Sequence, residues 1–150
     1  TMPLCADRMP LVVGGDHRFA SQSRVDLEDV VKEPLLLFHA DSVSRKIVDE
    51  RLAEAGLQPG RVMEMRSPEA MRKLVEAGVG ISFLPERVVE ESAARGDLCK
   101  VEVRGVSFTR DIGIAWRRGR YFGPAIRLLL EQIVSTYGRR RFWLEEGEAP

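Results

Sequence analysis

The sequence predicts an α/β fold built around a sheet covered on both faces. Three observations point there. MPLVVG (9–14), PLLLFH (34–39) and ISFL (81–84) are apolar throughout, as strands buried on both sides must be. Stretches with apolar residues at helical spacing lie between them. Glycine- and proline-bearing turns separate the two kinds at the short intervals of βαβ units. The order that results is β-α-β-α-β-α-β-α-β-β-α, with a parallel sheet expected.

Residues 1–8 give no decisive pattern. Met9 to Gly14 is the first strand, closed by Gly15 and Asp16. His17 to Ala20 reads as a turn, and Ser21 to Arg24 as a polar loop. Val25 to Val30 looks like a single helical turn with Asp26 at its N-cap. Pro34 to His39 is the second strand. Asp41 to Ala55 is a helix with Val43, Ile47, Val48, Leu52 and Ala55 as its apolar stripe. Gly56 ends it, and Pro59-Gly60 closes the loop. Arg61 to Arg66 alternates as a half-buried strand.

The stretch from Ser67 to Pro85 organises the chain. Ser67 is placed to cap a helix whose first position is Pro68, with Glu69 in the first turn. Ala70, Met71, Leu74 and Val75 form one apolar face. Gly78 and Gly80 stop the helix, because a left-handed residue there satisfies its last carbonyls without a Cβ clash. Ile81 to Leu84 is a buried strand, with Ile81 and Phe83 in the core, and Pro85 leads into a helix over Glu86 to Arg95 that Gly96 ends. Leu98 to Val103 alternates and is expected at a sheet edge. Arg110 to Arg117 is a further strand with Ile112, Ile114 and Trp116 facing one way. The last helix lies within Tyr121 to Gly138, its stripe made by Ile126, Leu129, Leu130, Ile133, Val134 and Tyr137. Residues 139–150, opening on Arg139-Arg140-Arg141, read as a charged, solvated tail and not as a phosphate clamp.

Composition narrows the function. The 150 residues suit one ordinary domain, and 44% hydrophobic content is enough for a core. Twenty-three basic and 23 acidic residues cancel, which argues against a surface dominated by a nucleic-acid-binding stripe. Cys5 and Cys99 stand far apart without CxxC spacing and read as reduced thiols of a cytoplasmic protein. No run reaches the length of a membrane span, and TMPLCADRMP lacks the plan of a secretory signal.

A catalytic constellation is hard to assemble. His17 and His39 are the only histidines, and neither has metal-ligand spacing. There is no G-x-S-x-G elbow and no P-loop, and Gly78-Val79-Gly80 follows a helix instead of a strand, the wrong order for a dinucleotide site. No cofactor is called for. A small-anion site is easier to build. His39-Ala40-Asp41-Ser42-Val43-Ser44-Arg45 carries a strand end into a helix start, with two hydroxyls and a guanidinium beside free helix amides. Equally open is the reading in which Asp41 or Ser42 only caps the helix and Arg45 is a surface cation. Arg66 with Ser67 repeats the arrangement at the next strand end, where Ser67 as a cap is the stronger reading.

Three runs now carry a resemblance: EPLLLFHADSVSRKIVDERLAEAG, SPEAMRKLVEAGVGISFLPERVV and DIGIAWRRGRYFGPAIRLLLEQI. They resemble the effector-binding domain of LysR-type transcriptional regulators. Asp16 to Ala20 is similar to the family's "DHPLA" turn, and Val25 to Val30 to its "VSLADL" segment. Ser67, Glu69, Leu74, Val75, Gly78, Gly80, Ile81, Leu84 and Pro85 follow its S-x-E-x(4)-L-V-x-A-G-x-G-I-x-x-L-P signature, and Trp116-Arg117-Arg118 its "WRRD"-like strand end. The likeness runs from Met9 to Tyr137.

The resemblance implies a type 2 periplasmic-binding-protein-like fold, in which two lobes close on a small effector. It further implies a homo-oligomer that reaches promoter DNA only through an N-terminal winged helix-turn-helix not seen in this sequence; that the chain is neither an enzyme nor membrane-bound is expected from the residue patterns above. Met9 to Phe108 would then be a complete lobe II, and 109–138 the strand and helix returning to an N-terminally incomplete lobe I. The stripe of that last helix is expected to be covered by another copy or packed differently than in a full-length regulator. Ser42, Val43 and Ser44 carry over as effector contacts, within a loop from Ala40 to Arg45. Val43 stands where the family often has Gly, so its Cβ is expected to narrow the approach to the backbone. Two rival functions share the fold: a solute-binding module of a transport system, and an enzyme of dehydratase type that uses His39, Asp41 and Arg45.

Overall fold

The computed structural model describes residues 1–137, and the expected tail at 139–150 lies outside the described residues. In chain order the elements are β1 (Met2–Arg8), β2 (Leu11–Gly14), β3 (Arg24–Val25), α1 (Leu27–Val30), β4 (Pro34–Phe38), α2 (Val43–Glu54), β5 (Arg61–Met65), α3 (Pro68–Glu76), β6 (Ile81–Phe83), α4 (Glu86–Arg95), β7 (Leu98–Val103), β8 (Thr109–Ile114) and α5 (Pro124–Tyr137). None of these helices is long and apolar enough to cross a membrane.

Six strands form one sheet in the order β3-β7-β2-β6-β4-β5. β4 lies between β5 and β6 and is parallel to both, with Leu36 opposite Met63 and Ser82. β2 runs antiparallel to β6 and β7. The sheet is therefore mixed, not parallel as expected, because an apolar run reports burial on both faces and not strand direction. Nor is β7 an edge. Arg24 and Val25, within and beside the expected polar loop, pair with Glu102 and Val103 on its outer side. The exposed edge is β5, whose Val62 and Met63 stand 39% and 48% open.

Alternation along the strands separates two apolar layers. Leu11, Val13, Leu35, Leu37, Ile81 and Phe83 pack with Leu27 and Val30 of α1 and Val48 and Leu52 of α2. Val12, Leu36 and Leu84 pack on the other face with Met71 and Val75 of α3 and Val89 of α4. Of the stripe expected for α2, Val48 and Leu52 are buried and Ile47 is half-buried, but Val43 and Ala55 are exposed. Gly78 has φ +73 as expected for a helix stop. Gly80 serves differently: a Cβ there would lie 2.5 Å from the Pro34 carbonyl oxygen, so only glycine lets the chain pass β4.

The chain divides into two units. Arg8–Arg110 holds the six-stranded sheet, α1 to α4 and both core layers. The other unit comprises Thr1–Asp7 and the described residues from Asp111 on. β1, at the undecided N-terminus, pairs with β8. β8 stops at Ile114, so Trp116 lies beyond it, and Ile112 is 43% exposed. On α5, Leu130 and Val134 are buried, whereas Leu129 is 58% exposed.

Candidate functional site

Because β4, β5 and β6 are parallel, their carboxyl ends share one edge of the sheet. Beyond β4, the His39 amide donates to the Met65 carbonyl at 3.0 Å and ties the two strand ends together. The Ser42 amide then donates back to the His39 carbonyl at 2.9 Å, which turns the chain into α2. An open depression of about 460 Å³ forms over these ends. His39, Asp41, Ser42, Ser44, Arg66 and Arg110 supply its polar lining, and Pro85 and Val88 part of its apolar lining.

The two helix starts behave differently. At α3, the Ser67 Oγ accepts from the Ala70 amide at 3.2 Å, so Ser67 is the cap expected. At α2, Ser42 has the extended backbone of an N-cap, φ −75° and ψ 138°, but its side chain makes no capping bond. The first amide of α2 to find an acceptor is Lys46, which donates to the Ser42 carbonyl at 3.1 Å. Amides of Val43, Ser44 and Arg45 have no acceptor among the described residues. Three free donors at the positive end of a twelve-residue helix suit an anion.

Arg45 points away from this role. Its Nε donates to the Asp49 carboxylate at 2.8 and 3.0 Å, and its Nη1 to the Phe38 carbonyl at 3.1 Å and to Glu64 at 2.9 Å. The bond to Asp49, and then the bond to Glu64, push its pKa up against the opposing effect of burial. Ala40 and Val43 are exposed and do not line the depression. The Val43 side chain, 65% exposed, is turned to solvent and does not narrow the depression. Asp41 is likewise open, with its Oδ2 3.2 Å from His39 Nδ1.

Two arginines line the depression, Arg66 and one that the sequence does not single out, Arg110. Arg110, on β8, donates from Nη1 to the Ser44 Oγ at 3.0 Å, and Ser44 is only 3% exposed. Sixty-six residues separate the two, so no local spacing announces the pair. Arg66 also lines the depression, with no carboxylate partner among the described residues. No group of three or more His, Cys, Asp or Glu able to hold a metal occurs among the described residues.

This mixed sheet, flanked by helices and carrying an anion-suited depression over its strand ends, belongs to the type 2 periplasmic-binding-protein-like folds. Residues 1–138 match the family described as LysR substrate binding domain, and the chain belongs to that family. It is 28% identical over 134 residues to the uncharacterized HTH-type transcriptional regulator YybE of Bacillus subtilis strain 168, covering 89% of this chain and 45% of the relative. The chain thus spans about half the length of the curated relatives it matches. Among solved structures, the CcmR regulatory domain of Synechocystis PCC6803, in complex with 2-PG, superposes with a TM-score of 0.82. The two are 20% identical, over 91% of this chain and 66% of that one. The effector-binding domain of QuiR, in complex with shikimate, gives 0.78 at 24% identity, over 91% and 64%. At these identities the two structures speak for the fold.

Proposed function

We propose that this chain is the effector-sensing part of a LysR-type transcriptional regulator, and that its effector is a small anionic metabolite. The observation that carries the anion is the uncapped start of α2, where three amides without acceptors stand beside the Ser42 and Ser44 hydroxyls. The 2-PG and shikimate bound by the two similar structures are of that kind. The effector is received at the loop from Ala40 to Arg45, through Ser42 and Ser44, which line the depression. Arg66 and the outward side of the Ser67 turn flank it.

In the whole protein, Met9 to Phe108 acts as lobe II, within the compact unit Arg8–Arg110, and residues 109–138 return to lobe I. Effector binding shifts lobe closure, closure shifts packing between copies of a homo-oligomer, and a winged helix-turn-helix carries the change to promoter DNA in the cytoplasm. No reaction is assigned. The enzyme rival needs an acid or base at the site; of the three residues it could use, Arg45 is engaged by Asp49 and Glu64, and His39 and Asp41 line the depression.

Thermal unfolding with 2-PG, shikimate and inorganic phosphate tests the reading. A ligand at about 100 times its Kd stabilises by about 2.7 kcal/mol, a clear rise in Tm. The rise is expected to be lost in Ser44→Ala. A rise of equal size in that variant would move the effector elsewhere.

A further inference from the structure

A second cavity, of about 350 Å³, lies at the β3–β7 side of the sheet and shares no lining residue with the depression over β4. Arg8 to Leu11, Arg24 and residues 101–108 line it, all within the unit Arg8–Arg110. The Met9 amide donates to the Phe108 carbonyl at 2.9 Å, so the cavity sits where the chain enters and leaves that unit. Its apolar lining is Met9, Leu11, Val101, Val103 and Phe108. The amides of Gly105, Ser107 and Phe108 have no acceptor among the described residues. Phe108 is only 6% exposed, and a backbone donor in so buried a residue is ordinarily paired.

Three guanidiniums surround the cavity, and two of them are engaged. Arg24 is paired with Glu102 at 3.0 Å and Arg104 with Asp26 at 3.2 Å. Arg8 is exposed and makes no bond to a carboxylate among the described residues; Glu86, the acid that its charge acts on, is held by Lys100 at 2.7 Å. We propose that this cavity is a second ligand site, which takes a small carboxylate with an apolar body. The carboxylate pairs with Arg8 and accepts from the amides at Ser107 and Phe108, and the apolar body lies along Met9, Val103 and Phe108. One surplus cation matches one negative charge, whereas a multiply charged phosphate meets the Glu102 carboxylate as well. The volume is near the low end of the range for ligand pockets, about 300–1,000 Å³, and suits a single ring or a short branched chain. Such a ligand touches both passages of the chain and leaves the effector loop free.

Amide NMR titration of the chain with benzoate tests the assignment, with benzyl alcohol and inorganic phosphate as comparisons at matched ionic strength. Benzoate is expected to give saturable shifts at Gly105, Ser107 and Phe108, and to bind there about tenfold tighter than either comparison. Arg8→Gln is expected to weaken it about tenfold. Arg61→Gln, on β5 at the far edge of the sheet, is expected to weaken it by less than about twofold. No saturable shifts at the three amides, or shifts confined to Ser42 to Arg45, overturn the second site. Benzyl alcohol that binds as tightly as benzoate overturns the role of charge, and phosphate that binds as tightly overturns the apolar body; either result removes the assignment. Equal losses in Arg8→Gln and Arg61→Gln overturn the part given to Arg8. Should circular dichroism show Arg8→Gln unfolded, the comparison of benzoate with benzyl alcohol on wild type decides.

Discussion

Two arginines exchange the roles that their residue types suggest. Arg45 looked like the cation of the site, since it follows two serines at a helix start. Its side chain instead joins the end of β4, through the Phe38 carbonyl, to Asp49 on α2 and Glu64 on β5. Arg45→Ala is therefore expected to destabilise the fold by about 2 kcal/mol, read by urea unfolding, through lost charge-assisted bonds and lost packing of its stem. Arg110 meets Ser44 only because the fold brings together residues far apart in the chain, and nothing within a few residues of it says so. Ser67, by contrast, was legible, since Ser-Pro-Glu before an apolar helical face is a local signal.

Glu76 makes a third case. It is paired with Arg72 and Lys73, and the Ser92 hydroxyl donates to it at 2.6 Å. Bonds from Lys73 and Ser92, against the opposing effect of burial, lower its pKa from 4.5 to about 2. A depressed carboxylate adds stability above its unfolded value and loses it as pH falls through the folded one. Stability is thus expected to decline from about pH 4.5 down to about pH 2, and Glu76→Gln to flatten that part of the curve measured by denaturant titration.

At the scale of elements, the helices and the buried strands were legible because their patterns are dense. Strand direction and edge position were not, because they depend on neighbours far along the chain. β7 alternates like an edge strand, yet Arg24 and Val25 cover its outer side. A two-residue strand leaves no periodicity to read. β1 was missed because its pairing with β8 joins opposite ends of the sequence. Two substitutions test the elements that position the site. Ser67→Ala removes the bond to the Ala70 amide and is expected to lower stability by about 1 kcal/mol. Gly80→Ala places a Cβ against the Pro34 carbonyl at the start of β4. It is expected to cost about 2 kcal/mol by the same urea measurement.

For the molecule as a whole, the division into two units bears on what the site needs. The residues that line the depression all belong to Arg8–Arg110, together with both core layers. A chain reduced to residues 8–110 is accordingly expected to unfold cooperatively and to keep its response to a small anion. The sequence resemblance reached the family, and it named the helix start at which the site is proposed, because both rest on contiguous motifs. The central claim is that a small anion binds over the carboxyl ends of β4, β5 and β6. An amide NMR titration with inorganic phosphate tests it most directly. The account predicts saturable shifts concentrated at Ser42, Val43, Ser44 and Arg45, with smaller ones near Arg66 and Arg110. Shifts centred elsewhere, for instance on the Gly14–His17 turn at the end of β2, or no saturable shifts at all, would contradict it.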